Sequence, residues 1–394
     1  MTHIKQLLIL VILAGSTFFA SNTFLNGSLT NPFHLSGELK SPKDSTYLWK
    51  IGNEPPFQYR ILHRAAITPI YKLVSGEQDN NQTFFLTYKI GALFFHLLAV
   101  LIFYFFLVQI NLSEMALSGA ILFALLPPLA AAYNLPVHTR EDTMAYSLLI
   151  LGLLAIMKNK VPLIFLFAIL GVLCRETLLL IPFVNLFFNK RQNLFLRLFI
   201  SSIAFGTFLL VRWHFGLPSY DYWEGLRWNV ANVDQVIGFS FITFGFLWLP
   251  FFLSFLRTKE VTRTIPIITP SGPSVFVLVV ATTFLGGIFN EIRLLYLLSP
   301  WVIVATLSYY LKNEKEIKLR FFSKRYLAFA SIALLVAIVL GGFALSNATR
   351  LVGTSQYDIP FALWIVLTIL QVYLSSITVP LLFKISQSTI SSKN

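Results

Sequence analysis

Charge is what this sequence has least of. Asp, Glu, Lys and Arg together make up 12% of its 394 residues, where a soluble domain carries about a quarter. Cysteine is nearly absent. The one thiol, Cys174, excludes an internal disulfide and, lying in an apolar run, reads as a packing residue. There is no CxxC, no HExxH and no glycine-rich phosphate loop, so the short motifs of zinc, redox-thiol and nucleotide chemistry are missing. Strict apolar–polar alternation is missing too, which argues against a transmembrane β-barrel.

What is present is hydrophobic sequence: 56% of residues are apolar and the mean hydropathy is +0.72. Continuous apolar runs near the length of a bilayer crossing recur along the chain. Helices that satisfy their own backbone hydrogen bonds are then the expected spans. The fold expected is all-α: a single polytopic membrane domain over residues 1–394, with about twelve membrane helices. The expected spans are 6–21, 84–108, 115–133, 143–157, 161–174, 177–189, 195–212, 236–256, 273–289, 293–311, 326–346 and 360–383. The start, "MTHIKQLLILVILAGSTFFASN", resembles a signal peptide but lacks a good small-x-small cleavage pattern. It is read as an uncleaved first span.

Residues 161–189 allow two layouts. One is a single long helix with Arg175 and Glu176 at mid-depth. The other is two short helices meeting at "CRET". The flanks decide, because "KNK" (158–160) and "NKRQN" (189–193) are both basic. Basic loops lie on the cytoplasmic side, so the chain must enter and return. Extending this rule puts both termini in the cytoplasm and the whole formal charge of +13 on that side. In a soluble protein such a charge would suggest nucleic acid; here it reads as a topology signal, and no nucleic-acid partner is expected. The location expected is the inner (cytoplasmic) cell membrane, crossed many times.

The outer face on this layout carries a long first loop, 22–83, expected to hold interfacial helices. Further outer tips are "NLPVHTRED" (134–142), "CRET", an aromatic loop (212–235), "NEIR" (290–293) and "NATRLVGTSQYD" (347–358). Each brings charge close to hydrocarbon, where it is costly and is usually paired or functional.

A long first outer loop with an acid, an acid pair at a later tip and a basic–acidic pair in a short hairpin resemble the GT-C superfamily. These integral-membrane glycosyltransferases use lipid-phosphate-linked sugars. The stretches "KDSTYLWKIGNEPPFQYRIL" and "NEIRLLYLLSP" also look like pieces of uncharacterised bacterial members. The resemblance implies transfer of a sugar from a polyprenyl-phosphate donor to a glycan, lipid or protein acceptor at the outer face. It implies Asp44 as the base, with Glu54 as a nearby competitor. It implies Glu141 and Asp142 as acids that bind metal or place the acceptor. Arg60, Arg140, Arg175 and Arg293 become candidate ligands of the donor phosphate, because a guanidinium offers phosphate oxygens a planar fork. His138, Glu176 and Glu291 are supporting candidates. The second-loop acids read Glu-Asp rather than a spaced Asp-x-Asp or Asp-x-Glu, so a divalent cation (Mg or Mn) stays open.

Each assignment has a plainer rival. Asp44 could be a solvated loop acid. Glu141 or Asp142 could cap the helix beginning near Thr143. Arg175–Glu176 and Glu291–Arg293 could be structural ion pairs. His138 and His214 could be interface histidines, and Tyr220, Tyr222, Trp223 and Trp228 an interfacial belt. Two other functions remain: a secondary transporter, for which short paired helices around a polar tip are also a device, and a polymerase or ligase of lipid-linked glycans.

Overall fold

The computed structural model describes residues 6–18, 59–75, 81–126, 141–216, 223–256, 265–287 and 294–318, with 331, 332 and 335. Every regular element among them is helical. Three helices are long and apolar enough to cross a membrane: Ile90–Gln109, Leu194–Phe215 and Ile268–Gly286. Shorter apolar helices accompany them. The chain is a helical, membrane-embedded protein. The expected spans 326–346 and 360–383 lie almost wholly outside the described residues.

The chain divides into two compact units, Met1–Tyr222 and Trp223–Asn394. The first contains α1 (Gln6–Phe18), α2 (Ile61–Ser75), α3 (Asn81–Gln109) and α4 (Ala116–Leu125). It continues with α5 (Asp142–Met157), α6 (Val161–Cys174), α7 (Leu180–Phe188) and α8 (Leu194–Phe215). The helix α2 falls in the loop where interfacial helices were expected. It packs on α3 and α6, and the approach is close: a Cβ on Gly91 would run into the end of Ile67.

The stretch 161–189 is a helical hairpin. The chain leaves α6 at Arg175 in an extended conformation (φ −159°, ψ 135°), makes a 3-10 turn over Glu176–Leu179 and returns as α7. At the far end Asn189 Nδ2 donates to Asn159 Oδ1 at 3.4 Å, which brings the end of α7 back to the start of α6. Small residues let the pieces meet. A Cβ on Gly171 would lie 3.0 Å from Leu178, and one on Gly152 of α5 would lie 2.9 Å from Ile181. The helix α8 packs on α6 and α7. It buries only Ile200 and Ala204, and leaves Phe195, Leu198, Phe199, Leu210 and Trp213 exposed. That is the pattern of a helix with one flank on protein and the rest in lipid.

The second unit holds α9 (Glu224–Ala231), α10 (Val233–Phe244), α11 (Trp248–Leu256), α12 (Ile268–Gly286) and α13 (Ser299–Lys318). Sequence reading made 236–256 one span. The structure breaks it at Gly245, whose φ of +53° ends α10 and starts a short 3-10 turn. The apolar run hides the break, because one glycine with left-handed backbone is enough to make it. The Trp248 indole closes the break by donating to the Ser240 carbonyl at 2.9 Å. Around it Phe244, Phe251, Phe252, Phe255 and Phe276 pack edge to face or stacked. Deeper in, the Trp301 indole donates to Ser271 Oγ at 2.8 Å.

Candidate functional site

At one end of the first unit five ionisable side chains meet: Arg60, Glu141, Asp142, Arg175 and Glu176. They come from three separate stretches. Arg60 lies just before α2, Glu141 and Asp142 open α5, and Arg175 and Glu176 form the hairpin tip. Four are buried; Arg60 is 6% exposed, Arg175 1%, and Glu141 and Asp142 are fully enclosed. Arg60 bonds Glu141 with one guanidinium nitrogen and Glu176 with the other, the latter at 3.1 Å. Arg175 pairs with Asp142.

Local backbone explains this cross-pairing. Adjacent residues leave a tip in different directions, so Glu141 and Asp142 face different arginines, and Arg175 and Glu176 face different acids. Arg175 pairs with Asp142 and Arg60 with Glu176, so the two residues of the tip each reach an ionised partner outside it. The capping reading also changes. Glu141 is the N-cap of α5, but its side chain makes no cap hydrogen bond. Both acids are used by arginines instead, and the Cys174 thiol donates to the Glu141 carbonyl at 3.8 Å.

The cluster sums three carboxylates against two guanidinium groups, an excess of one negative charge. Charge this deep is retained only when paired. Some polar atoms are still unfilled. Glu176 Oε2, Thr143 Oγ1 and Thr177 Oγ1 are buried and have no hydrogen-bond partner, although about a quarter of the Glu176 side chain stays accessible (26%). A carboxylate oxygen and two hydroxyls without partners are hydrogen-bonding capacity that the protein itself leaves unused.

The site's rim is tied down. The Tyr59 hydroxyl, next to Arg60, donates to the Gly216 carbonyl just past α8 at 2.7 Å. The Arg212 guanidinium lies 4.6 Å from the Tyr59 ring centroid and 3.9 Å from that of Phe208. The 16 residues of α5 and 14 of α6 rise about 24 and 21 Å, both less than a hydrocarbon core about 30 Å thick.

Of the candidates named from sequence, Arg60, Glu141, Asp142, Arg175 and Glu176 come together. Asp44, Glu54, His138, Arg140, Glu291 and Arg293 lie outside the described residues. Arg60 and Arg175 are engaged by carboxylates, so they are not open cations. Glu141 and Asp142 do not present oxygens to one point, and among the described residues no group of three His, Cys, Asp or Glu could hold a metal ion. His214 is exposed at the end of α8, against Phe215.

Two residues were missed. His63, 3% exposed, lies three positions after Arg60 and 6.1 Å from the Phe95 ring. The i, i+3 spacing in "RILHR" was the available signal. His96 is fully buried in α3, and an ionisable residue inside "ALFFHLLAV" was signal enough. No family model, curated protein or solved structure matches this chain.

Proposed function

We propose that the protein is a membrane glycosyltransferase that moves a sugar from a polyprenyl-phosphate donor to an acceptor hydroxyl. On this reading it has about twelve spans, the GT-C arrangement, cytoplasmic termini and the charged cluster at the outer face. The observation that carries it is the buried cluster with unfilled Glu176 Oε2, Thr143 Oγ1 and Thr177 Oγ1. Sugar hydroxyls would fill those positions. The arginines take different roles from those first assigned. Arg60 and Arg175, each held by acids, position Glu141, Asp142 and Glu176. The donor phosphate then falls to Arg140. Asp44 accepts the proton of the acceptor hydroxyl as its oxygen bonds the anomeric carbon, and the bond from that carbon to the phosphate oxygen breaks. The phosphate leaves with the electron pair, so positive groups near it stabilise the transition state more than a strong acid would.

A secondary transporter is the second reading, favoured by the pair of short helices that meet at a charged tip. One experiment separates the two. Lipid-linked sugars and surface glycans are compared by mass spectrometry in cells carrying the wild-type gene, no gene, or Glu176→Gln. Transfer predicts a polyprenyl-phosphate sugar accumulating, with a matching glycan lost, in both defective strains. Unchanged lipid-linked sugars and glycans would end the glycosyltransferase reading.

A further inference from the structure

The opposite end of the same hairpin carries a second polar assembly that the transfer reaction does not use. Here the turn after α5 meets the turn between α7 and α8. Arg191 donates to the Met157 carbonyl at 2.9 Å, and Asn189 bridges to Asn159. These contacts gather four exposed cations: Lys158, Lys160, Lys190 and Arg191. No acidic residue occurs between Thr143 and Arg175 or between Thr177 and Tyr220.

Cations here are expected from topology alone. The side chains beneath them are not. Gln192 is 6% exposed, and neither its Nε2 nor its Oε1 has a hydrogen-bond partner. Asn189 is fully buried, and its Oδ1 also lacks one. Buried amides are usually satisfied, and setting topology does not require them. They offer a donor and acceptors in the same turn as Lys190 and Arg191. Immediately after them, α8 begins with Leu194, Phe195, Leu198 and Phe199 exposed. Cations, unfilled amides and an apolar flank in this order match one ligand: a phosphate-bearing headgroup continued by acyl chains.

We infer that the basic end of the hairpin is a binding site for an anionic phospholipid. The phosphate lies among Lys158, Lys160, Lys190 and Arg191, the headgroup polar atoms meet Gln192, and the chains run along the start of α8. The inference is independent of sugar transfer.

The test uses the full-length protein in micelles carrying dioleoylphosphatidylglycerol or dioleoylphosphatidylcholine, with retained lipid counted by native mass spectrometry. Wild type should retain the anionic lipid in preference. Lys190→Gln and Lys158→Gln should each lower the preference about fivefold. Gln192→Leu should also lower it several-fold while leaving charge unchanged. Lys190→Glu, a change at an exposed position, gives a second reading of the site if Gln192→Leu folds poorly. Excess inorganic phosphate should not displace the lipid, because it lacks the chains. Equal retention of the two lipids would overturn the inference. So would full preference in folded Gln192→Leu, since only diffuse surface charge would then be acting. Displacement by inorganic phosphate would show a phosphate site rather than a lipid site.

Discussion

Breaking the Asp142–Arg175 pair should be expensive one residue at a time and cheap when both change. The two side chains are 0% and 2% exposed, so neither charge can turn to solvent. Removing one partner of such a pair costs about 3–5 kcal/mol, whereas replacing both by apolar residues of similar volume is near neutral. The singles differ in how they can escape. In Arg175→Met the stranded Asp142 can take up a proton. At pH 7 that costs about 4 kcal/mol for a carboxyl of ordinary pKa, which caps the penalty, and the cap falls by about 1.4 kcal/mol per pH unit toward pH 5. In Asp142→Leu the stranded guanidinium cannot lose its proton. Its relief must come from Glu176, already held by Arg60 at 3.1 Å. The Arg175→Met penalty should therefore shrink on acidification and the Asp142→Leu penalty should not.

The measurement is reversible unfolding of the purified protein in mixed micelles, for both singles and the double variant Asp142→Leu/Arg175→Met, at pH 7 and pH 5. The singles should sum to about 6–9 kcal/mol at pH 7 and the double should lose about 2 or less, a large coupling for a contacting pair. If the double equals the sum of the singles within about 0.5 kcal/mol, the two charges do not sense each other and the argument for a buried, mutually neutralised cluster is refuted. The double should be stable yet inactive, which separates positioning by the cluster from its contribution to folding.

Asp44→Asn should abolish sugar transfer while leaving donor binding largely intact, and Arg140→Ala should weaken both, because the phosphate is held in ground and transition states alike; binding and transfer assayed separately in purified protein check this. In a Cys174→Ser background, a cysteine at Thr139 should react with an impermeant thiol reagent in intact cells and one at Asn313 should not; the reverse result would invert the layout. Gly225→Ala should cost about 1–3 kcal/mol in thermal unfolding, since its Cβ would lie 2.6 Å from the Gly287 carbonyl oxygen. Ser271→Ala should cost about 1–3 kcal/mol by leaving the buried Trp301 indole without its acceptor, and an unchanged unfolding midpoint would show that the bond contributes nothing.

What could be read from sequence here depended on whether the signal was local. The hairpin was legible because its cue is carried by its own flanks: two basic loops on either side of a 28-residue apolar stretch force a return, and α6 occupies Val161–Cys174 as expected. The Gly245 break was not, because α10 and α11 are apolar on both sides and only a dihedral distinguishes the turn from a continuous helix. The site shows the same division. Glu141, Asp142, Arg60, Arg175 and Glu176 could each be singled out by the cost of charge near hydrocarbon. Their pairing could not, since Arg60 and Glu141 are 81 positions apart and partner choice depends on which way each side chain leaves its tip. Sequence logic therefore gave Arg60 and Arg175 to a phosphate, when the fold gives both to carboxylates. Gln192 marks the same limit at the other end. In "NKRQN" it reads as one more polar loop residue, and only the turn between α7 and α8 reveals that it is enclosed. A local sequence pattern locates costly charge, but the three-dimensional contacts decide whether that charge is already spent on a neighbour or left for a ligand. For that reason the unfilled Glu176 and Gln192 atoms, rather than the arginines, are where ligands should be sought first.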